Sequence, residues 1–183
     1  MNKIKCAKFR SGKQGFTLIE LLVYLTIVSV VVNTLIIFSI DLIKLKLKSS
    51  QQQAVSATAA TVAGKIKYEI RNAADLNLSS SDFGLNLADN PTKKISLAQT
   101  GADDPTIFDV SDGSLRIARG VSAPAVLNPT GTRISDLTFT NLSSADGSTK
   151  QLKFTLTVTA VTPSPGNIYE TISLESSAEL RSH

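Results

Sequence analysis

Polar and apolar positions fall into three regimes along the 183 residues. From Phe16 to Ile43 the chain is apolar nearly all round, broken among strongly polar residues only by Glu20, Asn33 and Asp41. Leu21 to Ile40 makes about 20 residues of helix, roughly 30 Å, enough to cross a bilayer. Beyond Ile43 the apolar positions thin to a stripe: Leu42, Leu45, Val55, Ala59, Val62, Ile66, Ile70, Ala73 and Leu76 recur at mostly three- and four-residue spacing. Lys48, Gln51, Gln52, Lys65, Lys67, Glu69 and Arg71 take the other positions. With no proline between Phe16 and Leu78, the two stretches predict one continuous helix of about 60 residues whose second half needs a sheet to cover its stripe. Gly64 inside that half is either a weak spot costing about 1 kcal/mol relative to alanine or a point of close sheet packing.

Ser79-Ser80-Ser81-Asp82 and then Asn86 to Pro91 end the helical pattern, and the period changes to two. Strands are expected at 95–98, 106–110, 114–118, 133–141, 151–161 and from Ile168 to Leu174 or slightly beyond. Turns at Ser111-Asp112-Gly113, Ser144-Ala145-Asp146-Gly147 and Pro163-Ser164-Pro165-Gly166-Asn167 imply antiparallel hairpins. The clearest alternation sets Leu152, Phe154, Leu156, Val158 and Ala160 against Lys153, Thr155, Thr157 and Thr159. Leu137 and Phe139, with Ile172 and Leu174, supply similar half-apolar strands, and the helix stripe is their natural cover. The expected fold class is therefore α+β, a long N-terminal helix packed on a C-terminal antiparallel β-sheet.

Charge changes the picture at the N-terminus. Lys3, Lys5, Lys8, Arg10 and Lys13 precede the apolar run and no acid does. A secretory signal places its cleavage site after the apolar region; here a small residue, Gly15, stands before it, so the apolar helix reads as a retained anchor whose basic end stays in the cytoplasm. The formal charge of +4 is misleading as a sign of a nucleic-acid partner: without the first 15 residues, 14 basic face 15 acidic residues, and no basic patch with interleaved aromatics follows. No direct nucleic-acid binding is expected.

Gly15-Phe16-Thr17-Leu18-Ile19-Glu20 resembles the class III signal sequence of type IV pilins and type II secretion pseudopilins. The resemblance implies cleavage by a prepilin peptidase between Gly15 and Phe16 and N-methylation of Phe16. It divides the chain into a leader (1–15), a transmembrane and assembly helix (16–43), an amphipathic continuation (44–78) and an extracytoplasmic β-rich domain (79–183). Ile70-Arg71-Asn72-Ala73 near the helix end and the strand-rich finish on Thr171-Ile172-Ser173-Leu174 resemble the minor pseudopilin J and related minor pilins. Two family habits are missing: the helix-loosening proline, where this chain has Ile37, and a C-terminal disulfide, since the sole cysteine, Cys6, lies in the leader.

Glu20 is the most informative polar residue. A carboxylate about one turn into a membrane helix costs on the order of 3 kcal/mol if left alone, so a partner is expected. Cleavage after Gly15 would supply one in the α-amine of Phe16, four residues back; the family implies pairing with that amine on an adjacent subunit. The alternative is a carboxylate at the cytoplasmic headgroups with no specific partner. Asn33 is expected to bond back to its own helix or across to a neighbouring one, Asp41 to mark the outer interface, and Lys44, Lys46 and Lys48 to snorkel or be solvated. Asp109-Val110-Ser111-Asp112-Gly113 has part of a calcium loop's spacing but lacks its closing glutamate, and reads as a hairpin turn. Asp103-Asp104-Pro105 reads as a loop.

Enzyme chemistry has little to stand on, with His183 the only histidine and Cys6 the only cysteine; no cofactor or metal is expected. Cys6 as a lipid anchor lacks an apolar stretch before it. The reading is a minor pilin or pseudopilin, with the lipid bilayer, prepilin peptidase, other pilins, an inner-membrane platform protein and an assembly ATPase as the partners the family implies. The rivals are a single-pass anchored binding domain that does not polymerise and an anchored extracytoplasmic enzyme.

Overall fold

In a computed structural model the described residues are 15–146, 149–163 and 169–181. The leader cations with Cys6, residues Ser164 to Asn167 of the last turn, Gly147, Ile168 and His183 therefore lie outside them. One helix, α1, spans Leu18–Asn72 and crosses the boundary between two compact units at Ile43 and Lys44. The first unit contributes the apolar half of α1, exposed along its whole length. An 18-residue window there has mean hydropathy 2.5, long and apolar enough to cross a membrane.

In the second unit α1 packs against antiparallel strands, the α+β arrangement that the periodicities predict. Val55, Thr58, Ala59, Val62, Ala63, Ile66, Glu69 and Ile70 are its buried positions, spaced by three and four. The strands are β1 (Asp75–Leu76), β2 (Lys94–Ala98), β3 (Thr106–Ser111), β4 (Ser114–Arg119), β5 (Ala125–Val126), β6 (Thr132–Asn141), β7 (Gln151–Ala160) and β8 (Thr171–Glu179). They form two sheets where one was expected. β1 to β5 make a five-stranded antiparallel meander, and β6–β7–β8 a three-stranded one. Both sheets contribute to a single core, in which Phe108 of β3 stacks on Phe139 of β6 at 6.4 Å between ring centroids, and Phe139 lies 5.9 Å from Phe154 of β7.

The sheets separate between β5 and β6, where Pro129 denies the backbone a ladder donor. Asn128, buried there, stands in for a strand: its carbonyl accepts from Leu115 N (2.8 Å) and its amide donates to Thr132 O (2.8 Å). One backbone bond, Ile134 N to Gly113 O at 2.8 Å, joins the two systems beside it. A bulge between Ile134 and Asp136 absorbs one residue, so Ile134, Leu137 and Phe139 all face inward despite their uneven spacing.

The helix stops at Asn72, short of the predicted Leu78. Ala73 and Leu76 are buried as the stripe implies, but the backbone there serves β2: Ala74 N donates to Ala98 O (2.9 Å) and Asn77 N to Ser96 O (3.1 Å). A sheet edge that offers carbonyls outcompetes another helical turn. Residues Leu78–Ser80 form a single 3-10 turn. Gly64 is exposed and a methyl added to it meets nothing within 4 Å, so it is the weak spot, not a close contact. Asp112 (φ 53°) and Gly113 (φ 74°) make the β3–β4 hairpin turn, the left-handed pair a two-residue connection requires.

Candidate functional site

The sequence places its site residues where the apolar helix begins. Gly15, Phe16 and Thr17 are not helical, and α1 starts at Leu18. Thr17 caps it: its Oγ1 accepts from Glu20 N at 3.3 Å, and its carbonyl accepts from Leu21 N at 3.2 Å. Thr17-Leu18-Ile19-Glu20 thus has the spacing of a capping box, a signal the sequence reading passed over because it attended to the charge of Glu20 alone. Glu20 occupies the third helical position, where a negative charge also complements the helix dipole. Phe16 is 73% exposed, its ring edge-on to Tyr24 at 6.1 Å. A methyl on Gly15 meets no atom of the described residues within 4 Å, so packing among them makes no demand for glycine there.

Farther along the apolar half, four hydroxyls are tied to their own helix: Thr26 to Val23 O, Ser29 to Leu25 O, Thr34 to Val30 O and Ser39 to Leu35 O, at 2.7–2.8 Å. Asn33 does not follow them. Its amide makes no hydrogen bond among the described residues, so of the two expected partners the bond back to its own helix is not made.

The strongest polar cluster lies in the second unit, and the sequence reading missed it. Glu69, assigned there to the polar face, is 4% exposed. It stands three residues after Ile66 and seven after Val62, so its place on the buried stripe was visible in the spacing. Arg119, at the end of β4, and Lys65, one turn back at 3.0 Å, both donate to its Oε1. Burial pushes the Glu69 carboxyl up, and the hydrogen bonds and charges of Arg119 and Lys65 together outweigh burial and hold it below the ordinary glutamate range. Gln99 Nε2 adds a bond to Glu69 O at 3.3 Å, and Lys65 lies 4.8 Å over the Tyr68 ring. Elsewhere Asp109 binds Arg116 through both oxygens (2.7 and 3.0 Å), so the would-be calcium stretch is a hairpin braced by an ion pair. Among the described residues no group of His, Cys, Asp and Glu is arranged to hold a metal ion.

Residues 10–32 match the family model of the prokaryotic N-terminal methylation motif, the class III prepilin signal. No match was found among curated proteins or among solved structures. The motif and the apolar helix behind it support a type IV pilin-like precursor that is processed by prepilin peptidase, assembles with other pilins and is anchored in a membrane by a single pass. They fit a structural subunit.

Proposed function

We propose, with the methylation motif as premise, that this chain is a minor pilin or pseudopilin: cut between Gly15 and Phe16, N-methylated on Phe16, and packed through its N-terminal helix into a type IV pilus or a type II secretion pseudopilus. The observation that carries the reading is the coincidence of the motif at residues 10–32 with a non-helical Gly15–Thr17 leading directly into an exposed apolar helix. A peptidase needs an unwound backbone at the bond it cuts. Cleavage there also accounts for a glycine that no neighbour among the described residues requires. The leader cations hold the N-terminus in the cytoplasm and direct the β-rich domain outward. A platform protein and an assembly ATPase would then draw the subunit from the inner membrane.

Glu20 receives the α-amine of Phe16 from a neighbouring subunit. In the bilayer either charge alone is costly, so the pair rewards the axial stagger that brings them together and penalises any other. The mature protein recovered from cells is expected to begin at methylated Phe16, read by N-terminal sequencing and intact mass; a retained leader, or a start beyond the apolar run, overturns the assignment. Glu20→Val is expected to leave the chain in the membrane fraction while its recovery in sheared filaments falls at least tenfold. Normal incorporation of that variant would end the pairing argument while leaving processing intact.

A further inference from the structure

Asn33 sits near the middle of the apolar half of α1, where an amide without a partner is expensive in lipid. The hydroxyls of Ser29 and Thr34 show what this helix does with polar groups it can satisfy alone: each is bonded to a carbonyl four residues back. The Asn33 amide is the exception, and its solution must come from outside the chain. We propose that Asn33 is a homotypic contact, at which two copies of this helix pair in parallel within the bilayer and their amides exchange hydrogen bonds. The proposal rests on the reading that this segment lies in a membrane.

Three features select a second copy as the partner. An amide carries both donor and acceptor, so two of them satisfy each other without any further group. Copies inserted with the same orientation bring Asn33 to the same depth automatically, whereas an unrelated helix would need a polar group placed there by design. The positions around it also have the right period. Leu22, Thr26, Ser29, Asn33, Ile36 and Ile40 alternate spacings of four and three, the seam of a left-handed helix pair, and lie within roughly 60° of Asn33 on one face. Thr26 and Ser29 are small and already satisfied, which lets backbones approach. The opposite face carries Tyr24, Val31, Leu35, Phe38 and Leu42, bulk suited to acyl chains. Glu20 points to that opposite side, so pairing through Asn33 leaves it accessible to another subunit's N-terminus. A polar residue at one seam position fixes register at some cost in stability, and Asn33 would set which residues meet.

The test uses the full chain carrying Cys6→Ser, expressed in the inner membrane of cells that make no other pilin, with single cysteines at Ser29 or Ile36 on the seam and at Val31 or Leu35 opposite. After oxidation of the membranes, disulfide-linked dimer is expected from the seam positions and not from the others. Adding Asn33→Leu should lower the adduct roughly three- to tenfold, the range of one interhelical hydrogen bond, and Asn33→Gln should restore most of it. Adduct spread evenly around the helix, adduct insensitive to Asn33→Leu, or adduct formed only when other pilins are co-expressed overturns the pairing. Carbonate extraction of the same membranes separates the two layers of argument: a chain that washes off removes the membrane reading and the pairing together, while a retained chain without seam-specific adduct removes the pairing alone.

Discussion

Phe139→Ala is expected to destabilise the folded domain by about 4 kcal/mol, the middle of the range for truncating a fully buried aromatic side chain. Phe139 is fully buried on β6, stacked on Phe108 from the five-stranded sheet and tilted against Phe154 from its neighbour strand. Its removal opens a cavity where the two sheets meet, and neither sheet can close it without shifting against the other. Since a domain of this size is stable by about 5–15 kcal/mol, the loss is a large share of the total. Urea unfolding of detergent-solubilised protein, followed by far-UV circular dichroism, measures it. A change below about 1 kcal/mol would show that the junction repacks and that the sheets are less dependent on each other than their shared aromatic contacts imply.

The second large effect lies at Arg119. Arg119→Ala leaves the Glu69 carboxylate buried with Lys65 as its only remaining cation, and should cost about 2 kcal/mol near neutral pH. That is below the 3–5 kcal/mol of a fully buried broken pair, because Lys65 remains and the Arg119 side chain is 33% exposed. The pH dependence tests the cause. In the native protein Glu69 titrates below its unfolded value, so its contribution is complete above about pH 4.3 and is lost as pH falls through the folded pKa. Without Arg119 the carboxyl loses the strongest of the contacts that hold its pKa down, so it takes up a proton more readily than in the native protein. The gap between variant and native protein should therefore narrow as pH falls through the folded pKa of native Glu69, below which both hold the group neutral. Asp75 and Asp82 also sit below the usual aspartate range, chiefly through the Lys150 and Lys93 hydrogen bonds, and they are common to both proteins, so they cancel in the difference. Urea unfolding at neutral and acidic pH checks this; a gap that does not change with pH assigns the loss to side-chain packing.

What could be read from the sequence was what repeats. The alternation from Leu152 to Ala160 gave the inward face of β7 and its bounds to within one residue at Val161, because every second residue is apolar over ten positions. The stripe of α1 was plain from Val55 to Ile70, while Leu42 and Leu45, also read into it, are exposed. Where the pattern is short, three-dimensional context took over: β1 and β5 are two residues each and exist only because a neighbouring strand offers bonds. β8 begins at Thr171 and continues past Leu174 to Glu179, since pairing with β7 and the Lys153–Glu175 ion pair (2.7 Å) carry it through a polar stretch. The join between the two sheets runs through Asn128, a single side chain that bonds β4 and the start of β6, for which no periodic signal exists. Glu69 was missed for the opposite reason: its charge spoke louder than its phase. The N-terminal motif was legible because its chemistry is unusual, cations and a glycine ahead of an apolar run with one acid inside it.

A helix that must leave acyl chains for a crowd of protein neighbours normally has to renegotiate its polar contacts on the way. Thr26, Ser29, Thr34 and Ser39 have nothing to renegotiate, because each hydroxyl travels with its own acceptor one turn below it. If the chain assembles as proposed, those four hydroxyls leave the choice of resting place to other polar groups of the rod, Glu20 and Asn33 among them.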